Sequence, residues 1–249
     1  MILRRAAEHF RKQDWTAIGI VFVLLVLGVF LGIQVSNWNA ERHDRALEAT
    51  YLSSLVEDIR SDVAESEEIS RISTQRMAAL GYLIRNASGK ALPTGFDSAR
   101  GRIVIEDVPP YDASDPRSIG IAMFILTTLK GNRLTYDTLI DNAGIGVIRD
   151  PSLIRAIRAY YAAVDGALVF ETEMKQSRVA LIDAEQQAGL SPADGMPADE
   201  IVHAFAGNPR LLAAARNYWL YTNRHLKLMR ELRIEANAMI ARIEREETP

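Results

Sequence analysis

The four histidines, His9, His43, His203 and His225, are the side chains best suited to metal ligation or proton transfer near neutral pH. Each falls in a different predicted element, and none has a second ligand at the helical spacing of an HExxH site. Cysteine is absent, which removes thiol catalysis, thiolate metal sites and disulfides together. Asp62, Glu65, Glu67 and Glu68 form an acidic cluster, which reads as a cation site or, the expectation adopted here, as a solvated helix face. The stretch TYDTLIDNAGIGVIRD carries Tyr136, Asp137, Asp141 and Asn142 beside a glycine pair, but it contains neither GxGxxG nor GxxxxGK[ST]. Gly144 and Gly146 are therefore expected to end a short helix and turn the chain. No GxSxG or SxxK is present. Tyr160, Tyr161, Tyr218, Trp219 and Tyr221 are suited to lining a ligand pocket, but core packing or a partner-facing surface is the expected role. These residues imply no catalytic site, no cofactor and no metal.

The elements that would position these residues are helical. Leu47, Tyr51, Leu52, Leu55, Val56, Ile59, Val63, Ile69, Ile72, Leu80 and Leu83 recur at helical spacing and predict a long helix ending near Arg85. Breakers crowd residues 86–115, an expected irregular connection with GRIVIEDV as its one strand-like run. Asp115-Pro116, Asp150-Pro151 and Asn208-Pro209 each offer a capping side chain followed by a proline at the first helical position. The first should start a buried helix over SIGIAMFILTTL, and the second a helix running to about Gln187. The third should start a helix whose Leu212, Ala215, Trp219, Leu226, Met229, Ala236, Ile240 and Ile243 approach a heptad, coiled-coil-like seam. GLSPADGMP is a loop and Ala198 to Ala206 a short helix. The fold class is all-α: an N-terminal transmembrane helix followed by an antiparallel bundle of long helices.

From Trp15 to Ala40 no residue is charged, and TAIGIVFVLLVLGVFLGI is apolar almost throughout. About 20 helical residues at roughly 1.5 Å each match a hydrocarbon core of about 30 Å. A core helix would show a polar face, and a cleaved signal peptide would have a shorter apolar run and a small-x-small site. A retained span over residues 15–36 is expected, preceded by a short tail, 1–14, and followed by a helical domain, 37–249. Trp15 and Trp38 bracket the span at headgroup depth, with Gln34, Asn37 and Asn39 as further membrane-interface contacts. Arg4, Arg5, Arg11 and Lys12 lie before it and only Arg42 and Arg45 soon after, a bias that places the N-terminus in the cytoplasm. Gly28 and Gly32 form a GxxxG, a candidate transmembrane dimer face. Of the 29 basic and 32 acidic residues, four and two precede Trp15, leaving 25 against 30 in the rest of the chain. That mildly acidic balance argues against a nucleic-acid partner.

The run GVFLGIQVSNWNAER at the end of the apolar helix, followed by a long helix and by TYDTLIDNAGIGVIRDPSLIRAIRAYY, resembles a widespread bacterial family of uncharacterised single-span membrane proteins, a domain of unknown function. Gln34, Asn37, Trp38 and Asn39 carry the most specific part of the likeness. The resemblance implies a bacterial inner-membrane location and supplies no active site. The function expected is a membrane-anchored helical interaction or sensory module, its partners the lipid bilayer and a second copy or another membrane protein. An extracytoplasmic domain binding a small ligand or ion is the alternative, and a hydrolase with an unrecognised site is a third.

Overall fold

A computed structural model describes residues 15–99, 101–112, 114, 119–191 and 195–247. The expectations for residues 1–14, including His9, and for the Asp115-Pro116 helix start lie outside them. Helix α1 runs without a break over Trp15–Ser88. A two-stranded antiparallel hairpin follows, β1 (Gly95–Ser98) and β2 (Gly101–Val104). After it come the short helix α2 (Ile119–Phe124) and α3 (Leu134–Thr138), the latter continuing into one π-helical stretch, Leu139–Ala143. Helix α4 spans Pro151–Gln187, α5 Ala198–Ala206 and α6 Pro209–Glu247. The protein is all-α.

The chain divides into two units, Met1–Thr50 and Tyr51–Pro249. In the first, Ile20 to Val35 presents large apolar side chains about half exposed or more, and a Cβ built on Gly28 or Gly32 would meet no atom within 4 Å. This apolar stretch belongs to the one helix among the described residues long and apolar enough to cross a membrane by length and composition. Its best 18-residue window has a mean hydropathy of 2.5 and none of it buried.

In the second unit, residues 51–88 of α1 pack with α4 and α6. Helix α6 runs antiparallel to α4, since Arg242 meets Ser152 at one end and His225 meets Glu171 further along. It is antiparallel to α1 as well, with Arg60 bonded to Glu244 and Ser73 to His225. Helices α1 and α4 are parallel neighbours: Asp62 meets Tyr160 and Arg76 meets Met174, an advance of 14 residues on both. Parallel helices require the chain to return between them, and residues 89–150 make that crossover. Leu55, Ile59, Ile157, Val164, Met229 and Ile243 fill the core at one end, and Leu80, Leu83, Met123, Leu181, Phe205 and Leu226 at the other.

Two caps form as their sequences predict. The Asp150 carboxylate accepts from the backbone N–H of Ser152 at 2.8 Å and of Leu153 at 3.0 Å. Asn208 accepts from Arg210 at 3.1 Å and Leu211 at 3.3 Å. Two expectations change. The helix expected over SIGIAMFILTTL ends, among its described residues, at Phe124, because the buried guanidinium of Arg76 donates to the Ile125 carbonyl at 3.1 Å and Arg178 donates to that of Phe124 at 3.3 Å. Side chains thus take carbonyls that a longer helix would use internally. The connection at 86–115 holds a hairpin, with β2 inside the strand-like run and β1 contributed by the turn-like GFDS. Only glycine suits position 95, where a Cβ would lie 2.6 Å from the carbonyl oxygen of Ile103 on the facing strand.

Candidate functional site

The acidic cluster is built into the fold. Asp62 is 1% exposed, and its carboxylate accepts from the Asn132 backbone N–H at 3.0 Å and the Tyr160 hydroxyl at 2.7 Å. Asp58, one turn earlier, accepts from the Asn132 side chain at 2.7 Å and the Thr135 N–H at 3.0 Å. Glu65 accepts from the Lys130 N–H at 2.9 Å, and Glu171 on α4 from that of Leu129 at 2.9 Å. Four carboxylates from two helices thus hold the irregular segment 129–133 and the first turn of α3, taking backbone donors that no helix satisfies. Burial raises the Asp62 carboxyl above its ordinary value despite the lowering effect of those two donors. Glu67 and Glu68 pair with Arg233 and Arg71. The cluster is therefore partly a loop clamp rather than wholly a solvated face. Among the described residues no group of three His, Asp or Glu side chains is arranged to hold a metal.

The histidines are not brought together. His43 and His203 are exposed on separate helices, whereas His225 is fully buried on α6. Burial pulls the His225 imidazole below its usual value against the opposing carboxylate of Glu171, so the ring is neutral at pH 7. In that form Nε2–H donates to Glu171 at 3.0 Å and Nδ1 accepts from the Ser73 hydroxyl at 3.1 Å. This Ser–His–Glu chain has the residue order of a hydrolytic triad, but with the two ring nitrogens exchanged: a triad serine bonds Nε2 and its carboxylate Nδ1–H. Yet the three residues are 0%, 0% and 1% exposed, and none lines a cavity described below. Leaving no room for a substrate, the chain joins α1, α6 and α4 across the core.

The open space lies elsewhere, beneath the strap formed by residues 89–99 and 101–111. One cavity of about 440 Å³ is floored by Met77, Gly81 and Trp219 and roofed by Leu92, Pro93 and residues 105–111. A second, of about 290 Å³, shares Leu92, Pro93 and Trp219 with it, adds Ile84, Phe96 and Leu220, and is edged by Lys90 and Arg216. The strap is held away from α1 by α6: Asn223 accepts from the Glu106 N–H at 2.7 Å and donates to the Val104 carbonyl at 3.2 Å, while Arg230 pairs with Glu106. Gly81 keeps the floor low, since a Cβ there would approach Leu92 to 3.1 Å and the Trp219 indole nitrogen to 3.6 Å. A third cavity, of about 10 Å³, adjoins Glu185, whose buried carboxyl is pushed up to about 7 by desolvation.

Of the aromatic residues singled out by sequence, Tyr160, Tyr161 and Tyr218 pack in the core, and Tyr161 stacks on Tyr136 with centroids 4.1 Å apart. Tyr221 stacks on Phe170, and Trp219 alone of the five lines these cavities. Asp137 pairs with Arg133, Asp141 is exposed, and the side chain of Asn142 lies outside the described residues. Gly144 takes a positive φ of 68° and ends the π-helical stretch, whereas Gly146 falls within the 3₁₀ turn Ile145–Val147. At the apolar helix, Gln34, Asn37, Trp38 and Asn39 are exposed, the Arg42 guanidinium stands 4.9 Å from the Trp38 ring centroid, and the Trp15 side chain lies outside the described residues. Gly81, Lys90 and Arg216 escaped the sequence reading because a glycine inside a helix and isolated surface cations carry no motif. Compared with protein-family models, curated proteins and solved structures, the chain matches none.

Proposed function

We propose that the protein is a single-pass protein of a bacterial inner membrane. Residues 1–14 lie in the cytoplasm, and residues 37–249 form a periplasmic helical module that binds a second copy or another membrane protein. The observation that carries this reading is the unburied apolar window of α1. Nearly twenty apolar residues with no partner in the chain are stable only against lipid or another apolar surface. The excess of Lys and Arg before the span supports the orientation, and the likeness of its exit to bacterial single-span proteins supports the location.

The cysteine-free chain makes the test direct. Ala7→Cys and Val169→Cys variants are exposed in intact cells to a membrane-impermeant maleimide after alkaline carbonate washing establishes membrane retention. Labelling of Val169→Cys alone is the expected result; release by carbonate, or labelling of Ala7→Cys alone, overturns the anchor or its orientation. Crosslinking in intact cells then reads the partner. A second reading, small-ligand binding by the helical unit, is favoured by the cavities beneath the strap.

A further inference from the structure

We propose that the cavity edged by Lys90 and Arg216 binds a single-chain anionic amphiphile of the fatty-acid class. Its body is apolar: Ile84, Leu92, Pro93, Phe96, Trp219 and Leu220 supply the walls. Together with the adjoining cavity across Leu92 and Trp219, it falls in the size range of small-molecule sites, about 300–1,000 Å³.

The slot selects against a peptide. A bound backbone would need a donor or acceptor for nearly every residue, and these walls offer few polar groups. A methylene chain asks for none. The Trp219 indole N–H, which has no hydrogen-bond partner among the described residues, provides a single donor between the two cavities.

The charge at the edge fixes the sign of the head group. Lys90 and Arg216 are exposed, no acidic side chain lines this cavity, and neither cation has an ion-pair partner among the described residues. Lys90 lies just beyond the C-terminal end of α1, where a cation complements the helix dipole without any ligand. Arg216 has no such reason, since it stands about two turns into α6, past the first turn in which the dipole acts. A guanidinium presents a fork of donors that fits a carboxylate bidentately.

The test uses the full chain carrying Trp15→Phe and Trp38→Phe, so that Trp219 is the sole tryptophan, in phosphatidylcholine nanodiscs. Laurate and dodecyltrimethylammonium, equal in chain length and opposite in charge, are titrated against Trp219 emission. Laurate should give a saturable shift and the cationic amphiphile none. Arg216→Glu or Lys90→Glu should raise the laurate concentration required by at least tenfold, with the circular dichroism unchanged. Equal responses to both amphiphiles, or an unaltered titration in Arg216→Glu, would overturn the proposal. So would a shift already present in phosphatidylglycerol nanodiscs that laurate does not add to, which would make a two-chain lipid the occupant. The proposal does not rest on the anchor reading: carbonate retention and labelling are unaffected by loss of the laurate response.

Discussion

Asp62 illustrates how far a residue's role depends on what reaches it. On α1 it is one of several acids at helical spacing, but the crossover and α4 bring the Asn132 N–H and the Tyr160 hydroxyl to its two oxygens. Removing the carboxylate would leave the buried Tyr160 hydroxyl unpaired and release the part-buried Asn132 N–H, at a cost of about 1–3 kcal/mol for a buried unpaired group. Asp62→Ala is therefore expected to lower the thermal midpoint of the helical unit by about 2–12 °C, measured by circular dichroism, using roughly 2–4 °C per kcal/mol for a domain of this size. Replacing the exposed Glu67 by Ala should shift it by less than about 4 °C, since surface pairs contribute about 0–1 kcal/mol. Glu185 gives a pH dependence of known sign. Its carboxyl titrates near 7 when folded, against an ordinary value of 4.5. The folded state thus holds a proton that the unfolded state has lost, and this residue makes stability fall as pH rises from about 4.5 to 7. Glu185→Gln should flatten that slope, raising stability by on the order of 2 kcal/mol at pH 8 and leaving it unchanged at pH 4. An equal effect at both pH values would show that burial of the charge is not the cause.

At the scale of elements, α1 changes character along its length while remaining one helix. Its apolar stretch has no polar face, whereas residues 51–88 alternate buried and exposed positions at helical spacing. Within the span, the Gly28 and Gly32 spacing would let a second helix approach its backbone closely. Leucine at both positions should weaken self-association in a membrane two-hybrid assay; an undiminished signal would reject this face. Helix α4 shows capping by sequence alone, since Asp150 and Pro151 set its start and its last helical residue is Gln187, as expected. The short elements of the crossover behave differently. Helix α2 stops at Phe124 where Arg76 and Arg178 take the carbonyls that would otherwise extend it, and β1 exists through its pairing with β2.

For the whole molecule, the division at Thr50 and Tyr51 separates an unburied apolar helix segment from a unit with its own core. Every residue of the two core clusters lies at or beyond Tyr51. Residues 51–249 expressed alone should therefore be soluble and helical, and should unfold in a single cooperative transition in urea. Aggregation, or a broad non-cooperative loss of helicity, would show that the core needs the preceding segment. The parallel placement of α1 and α4, with α6 antiparallel to both, leaves the crossover at 89–150 to pass over the bundle, and the cavities lie under part of it.

The sequence by itself determined the helical class, the apolar segment, the capped starts of α4 and α6, and the bounds of α5, because these follow from composition, periodicity and side chains acting within a turn or two. For Trp219 it favoured core packing over a pocket, and the ring does both, 4% exposed in the core and lining the two cavities. Only the tertiary structure decided the rest. Asp58, Asp62, Glu65 and Glu171 hold a loop that lies 42 to 77 residues away from them in the chain. His225 joins Ser73 and Glu171, and Lys90 and Arg216 come to line one cavity, placements that no local pattern encodes. Periodicity reveals which face of a helix is buried, but the polar groups waiting on the other side are set by how the chain crosses over.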